Sequence, residues 1–245
     1  MNGADTVARI AALTDKWLLT DTHDRLVDAN LTDSPANHLC LSVIPVAHTY
    51  CRAILDLADK EYVLPAMALT RVLAEITHRT IWCLGETEEE PEVKIERWLK
   101  RSYIKRRDLL KDMVESEMVP DADKGQFNHD IDELTKYIDG ISHTTSGSVT
   151  KSVTELPILK ELYTHLYCTM HCAIHPDLIV LGDTIRQEGD EQFSVGDWTH
   201  IPKTALARNC LHLAFQLTVH VQTFQELDTG GTKAEYDEAV KFCDG

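Results

Sequence analysis

Apolar residues recur every three or four positions along almost every segment longer than ten residues. That spacing is the mark of amphipathic helices, and no run of alternating β-branched residues competes with it. The pattern predicts an all-α, multi-helix bundle. A first helix covers 5–29, with Ile10, Leu13, Trp17, Leu18 and Leu26 on its apolar side, and the turn residues of LTDSPAN end it. A second covers 39–60, where Pro45 predicts a kink or a late start. A third covers 62–84 and stops at Gly85, before the acidic ETEEEPE. A long, charged helix over 92–118 is closed by Pro120, and another follows over 126–141. The polar SHTTSGSVTKS reads as a flexible linker near 142–152. Beyond it the spacing predicts a helix over 156–175, halted by Pro176 because the residue before proline avoids the α region. GDTIRQEGDEQFSVGDW reads as loop; a strong helix over 203–227 and a weak one over 235–242 finish the chain. The whole is expected to form one helical domain, 1–245, with 1–36 as an N-terminal helical extension and 228–245 as a weak C-terminal tail.

Composition adds limits. A chain of 245 residues that is 43% hydrophobic can bury a sizeable core. Its start, MNGADTVARIAALTDKW, lacks the charged-then-apolar pattern of a secretory signal, and no apolar run approaches the roughly 20 residues of a membrane span. A cytoplasmic protein with no membrane partner is the expectation. Seven cysteines, an odd number scattered through helical pattern, read as reduced core thiols without a structural disulfide. A net charge of -16 repels polyanions, so nucleic acid would have to be held by a local patch. KIERWLKRSYIKRR offers one: Lys94, Arg97, Lys100, Arg101, Lys105 and Arg106 could grip a phosphate backbone, with Trp98 and Tyr103 free to stack a base. The competing reading is a solvated face, neutralised at four-residue spacing by Glu92, Glu96, Asp108 and Asp112.

The chemistry concentrates in TRVLAEITHR. At 100° per residue Arg71, Glu75 and His78 fall within an arc of roughly 60°, which also holds Leu64 and Trp82. A helix apolar on nearly every side is usually buried in a bundle, and buried charges need partners. Arg71 with Glu75, or Glu75 with Arg79, would supply a structural ion pair. The Arg71 to His78 spacing also resembles the R-x(4 to 6)-H motif of the HEPN superfamily, all-helical domains that include RNA endonucleases of prokaryotic defence and toxin systems. The resemblance implies a metal-independent endoribonuclease, needing no cofactor, in which His78 moves a proton and Arg71 holds the phosphate. Val72 follows Arg71, where that motif commonly has Asn. A near-copy in ARNCLHLAFQLTVH makes Arg208 and His212 a secondary catalytic pair.

A third cluster lies in YTHLYCTMHCAIHPD. His171 and His175, four apart, could chelate zinc with Cys168 or Cys172 adding a thiolate, or could serve as core or proton-handling histidines. The Arg71-x-x-x-Glu75 helix, the Trp98-Leu99 pair and the Tyr163, Tyr167, His175-Pro176 helix together resemble a widespread prokaryotic family of helical proteins without assigned function. That resemblance implies a HEPN-like architecture and nominates Arg71, Glu75 and His175 as site residues. Three functions follow as expectations: a ribonuclease acting on RNA, a non-catalytic module that binds a partner protein or forms a homo-oligomer, and a zinc-binding helical protein.

Overall fold

Helix ends are written in local chemistry. Ser34 accepts a hydrogen bond from the Asn37 amide at 3.2 Å, and Pro35 occupies the first turn, so the second long helix begins four residues earlier than its apolar pattern suggests. In this computed structural model, residues 3–29, 31–116, 118–145, 185–187, 193–195 and 202–243 are described. They form α1 (Gly3–Asp15), a π-helical segment (Lys16–Asp24), α2 (Arg25–Asp28), α3 (Pro35–Asp59), α4 (Val63–Leu84), α5 (Pro91–Glu115) and α6 (Lys124–Gly140). Two short strands, β1 (Ile185–Gln187) and β2 (Phe193–Val195), precede α7 (Lys203–Phe224) and α8 (Gly230–Cys243). The architecture is an all-α multi-helix bundle.

The core is built where α3, α4 and α7 meet, with α1 and the π segment closing it. Ile44, Ile54, Leu73, Ile81, Leu211 and Leu217 are all fully enclosed there. Trp17 and Leu18 are sealed by the π segment, whose i to i+5 bonding puts Trp17 and Thr22 on one inner face. A continuous helix of ordinary period had been expected over 5–29; the five-residue repeat between those two buried positions explains the change. Pro45 lies inside α3 without ending it, and its carbonyl accepts from the Thr49 hydroxyl at 2.9 Å.

Two further expectations are corrected, and one helix bears on the expectation of no membrane partner. The segment read as loop carries a ladder, with Ile185 opposite Val195 and Gln187 opposite Phe193; strands of three residues are too short to display a period of two. α3 is long and apolar enough, by length and composition, to cross a membrane, although His48, Arg52 and Asp56 interrupt its apolar run. In the bundle its apolar face is buried against α4 and α7. The tail, finally, is ordered earlier than its weak pattern suggests: α8 starts at Gly230, whose amide donates to the Asp228 carboxylate at 2.9 Å. The linker expected near 142–152 lies largely outside the described residues. Cys40, Cys51, Cys83 and Cys210 are buried free thiols, and burial pushes Cys40 up to about 11 and Cys83 to about 12.

Candidate functional site

α4 is sequestered most completely over its last turns, where every residue from Thr77 to Leu84 is buried. This leaves a row of polar side chains inside the bundle. Two of them satisfy themselves on their own helix: Thr70 donates to the Ala66 carbonyl at 2.8 Å and Thr80 to the Ile76 carbonyl at 2.9 Å. Arg79 reaches back one turn and donates through Nε and Nη2 to Glu75 Oε1, at 3.2 and 3.1 Å. Its guanidinium also sits 5.6 Å from the ring centroid of Trp98 on α5, a cation–π contact that ties α5 to α4. Of the two ion pairs open to Glu75, the structure therefore forms the one with Arg79. Arg71 is 8% exposed.

His78 is 1% exposed, and neither ring nitrogen has a hydrogen-bond partner. Burial lowers its pKa to about 4, against an opposing pull from Glu75, so the imidazole is neutral at pH 7. Thr77 Oγ1, Arg79 Nη1, Arg97 Nε of α5 and Thr218 Oγ1 of α7 are also buried without partners. Orphaned groups of this kind are uncommon in cores, and four of these six atoms stand on consecutive residues of one helix. The arrangement sets a neutral base beside a buried cation, with the ion pair of Glu75 and Arg79 between them and α5.

The secondary pair is divided by its surroundings. Arg208 is exposed, whereas His212 Nδ1 lies 2.7 Å from the Tyr236 hydroxyl of α8. Tyr236 stacks on Phe215 with centroids 3.8 Å apart, and Trp17 meets Phe215 edge-on at 6.2 Å. His212 thus helps hold α8 against α7 and the π segment, and Glu235 strengthens the same junction by accepting from Trp17 Nε1 at 2.8 Å and from Lys16. His171, His175, Cys168 and Cys172, the candidate metal ligands, lie outside the described residues. Among the described residues, no group of three or more His, Cys, Asp or Glu side chains could hold a metal ion.

The basic segment is largely turned to structural use. Lys94 is buried and donates to the Gly85 carbonyl at 2.7 Å, closing the end of α4. Arg97 donates through one nitrogen to both carboxylate oxygens of Glu89, at 2.7 and 2.6 Å, and Lys100 reaches the Ile141 carbonyl at 2.6 Å, fastening α6. Arg101 is half-buried, while Lys105 and Arg106 are exposed. Neutralisation had been expected from neighbours four residues away on the same helix; these partners come instead from the loop before α5 and from the end of α6. Both aromatics are occupied as well, Trp98 beneath Arg79 and Tyr103 against Tyr137 at 5.9 Å.

The side of α5 that faces α3 is apolar. An open groove of about 410 Å³ runs between α3 and α5, lined chiefly by Pro35, Leu39, Ile95, Trp98 and Leu99. The four-residue step from Ile95 to Leu99 is its trace in the sequence, hidden among seven basic side chains.

Residues 37–193 match the family described as Family of unknown function (DUF5677). The chain belongs to that family. The match runs from the first turn of α3 through α6 and β1 to the first residue of β2, and takes in Arg71, Glu75, His78 and His175. No curated protein and no solved structure shows a match to the chain.

Proposed function

We propose that this chain is a non-catalytic helical interaction module, in which the polar face of α4 is architecture and the exposed helix faces engage a partner. The observation that carries the reading is the closure of the candidate centre. Arg71 and His78 are 8% and 1% exposed, and Glu75 is occupied by Arg79. A general base must come within about 3 Å of the proton it removes, which a polymeric substrate cannot arrange with a sealed imidazole. The basic segment points the same way, because three of its six candidate cations hold the fold together. Incubating the purified chain with a mixture of structured and single-stranded RNAs, with and without divalent metal, tests the reading. The expected result is no cleavage that disappears in His78→Ala; cleavage lost in both His78→Ala and Arg71→Ala, with both variants folded, overturns it.

One observation favours a second reading, the HEPN-like endoribonuclease. Stability alone does not select a buried imidazole with two unbonded nitrogens, since each unmade hydrogen bond costs about 1–3 kcal/mol. An imidazole held neutral is also the form a general base requires. On this reading α4 must be uncovered before RNA can reach His78, with Arg71 clamping the phosphate. Metal-independent cleavage that depends on His78 but not on His212 is its signature.

A further inference from the structure

The last turn of α4, the loop into α5 and the C-terminal end of α7 surround a cavity of about 720 Å³. Pockets of roughly 300–1,000 Å³ accept molecules of drug size. The floor is apolar, with Ile81 and Leu84 buried and Val219 and Phe224 half-buried along it. The rim is acidic, because Glu86, Glu90 and Glu226 stand on it exposed to water. No lysine or arginine lines the cavity, and among the described residues none pairs with these three carboxylates. Glu89 differs from them, since Arg97 holds both of its oxygens.

The rim is fixed before any ligand arrives. Lys94 donates to the Gly85 carbonyl, and the Thr87 hydroxyl donates to the Glu89 carbonyl at 3.1 Å while accepting from the Glu89 amide at 3.3 Å. With the Arg97 to Glu89 pair, these bonds hold the loop at several points, so little ordering entropy is left to lose on binding. His220 adds an acceptor to the lining. Its Nδ1 lies 2.7 Å from the Gln216 carbonyl, which can only accept, so Nδ1 carries the proton and Nε2 keeps its lone pair. Burial lowers the His220 pKa, which keeps the ring neutral at pH 7.

We propose that, beyond any partner engaged by its helix faces, the chain binds a small organic cation in this cavity: an ammonium or guanidinium group on an apolar body. The body lies on the apolar floor, and the cation is held by Glu86, Glu226 and His220. The lining selects this class. A neutral apolar ligand would strip water from the carboxylates without replacing it. An anion would meet three like charges in a chain of net charge -16. Among the described residues no group of three His, Cys, Asp or Glu side chains could hold a metal ion, so the spread of charge around the rim suits a larger, diffuse cation. A basic protein segment carries the same cation, but its backbone needs hydrogen-bonding partners that an apolar floor lacks.

Calorimetry on the full chain with phenylbutylammonium, phenylbutanol and phenylbutyrate, which share one apolar body and differ in charge, tests the site. The ammonium should bind with a Kd below about 1 mM, the alcohol at least about tenfold more weakly, and the carboxylate not at all. Spermidine, with more charge and no apolar body, should bind more weakly than phenylbutylammonium. Amide shifts on adding the ammonium should fall across 81–90 and 219–226. Glu86→Gln with Glu226→Gln changes exposed side chains, so melting should hold while ammonium affinity drops about tenfold and the alcohol is unaffected. Equal affinity for ammonium and alcohol overturns the proposal, and that comparison needs only the wild type. No ammonium binding at about 1 mM, shifts centred elsewhere, or binding that ignores a folded double variant overturn it too. Oligolysine that shifts the same amides and binds more tightly than phenylbutylammonium would give the cavity to a basic protein segment and overturn the small-molecule assignment.

Discussion

At the scale of single residues, the informative group is His78. Its two ring nitrogens are buried and unpartnered, so an apolar side chain of similar volume removes a penalty and leaves little behind. His78→Leu is therefore expected to fold and to be more stable at pH 7 by about 1–3 kcal/mol, read from urea unfolding. A loss of more than 1 kcal/mol would mean that the imidazole contributes more than it costs. The pH dependence has a definite sign. The folded state holds the His78 pKa near 4, below its ordinary 6.5, so between those values the unfolded chain binds more protons. Above pH 6.5 both states are neutral and nothing changes; as pH falls from 6.5 to 4, up to about 3 kcal/mol of stability is lost. His220, also lowered by burial, adds to the slope just below pH 6.5. Glu235 acts lower: its carboxylate is held below its usual range chiefly by Lys16, so its contribution is present above pH 4.5 and lost further down. In His78→Leu the slope between pH 6.5 and 4 should flatten while the loss below pH 4.5 remains. The thiols give a simpler expectation. Cys40, Cys83 and Cys210 are buried with raised pKa values, and should react with a thiol reagent at pH 8 only after unfolding.

At the scale of elements, the turns show what composition conceals. Glu61 and Glu226 end α3 and α7 at positive φ, 62° and 55°, a region usually given to glycine. In both turns the amide three residues past the last helical residue returns five residues along the chain, Tyr62 to the Leu57 carbonyl and Leu227 to the Gln222 carbonyl, each at 2.8 Å. This is the Schellman arrangement, and an exposed glutamate is an unfavourable residue for its left-handed position. Glu61→Gly and Glu226→Gly should each stabilise the fold by about 1 kcal/mol, additively because the turns are separate. A neutral or negative effect would place the left-handed strain elsewhere. The same turns help explain what could be read in advance. The helices were legible because Ile10, Trp17, Leu26, Leu73 and Trp82 repeat at helical spacing and are indeed enclosed. The π segment was not, because its five-residue repeat spans only Trp17 and Thr22. For the site, the burial of Arg71 and the Glu75–Arg79 pair followed from an apolar helix with charges four apart. The cation–π contact with Trp98 and the tie from His212 to Tyr236 did not, because each joins helices far apart in sequence.

At the scale of the whole molecule, burial is uneven, and the unevenness sets where the chain opens first. α3, α4 and α7 enclose the core, whereas α5 and α6 leave most of their surface in water. Helices with few buried side chains open locally at a fraction of the global cost, so amide exchange should divide the molecule. At low concentration the amides of α4 and α7 should exchange slowest, near the global unfolding limit. Those of α5 beyond Ser102 and of α6 should exchange faster by orders of magnitude, since Ile138 alone anchors α6 among its buried residues. The ties of Lys94 to Gly85 and Arg79 to Trp98 should keep the first turns of α5 on the slow side of that divide. Exchange across α4 as fast as across α6 would instead mean that the polar helix opens in solution, and would return His78 to the centre of the function.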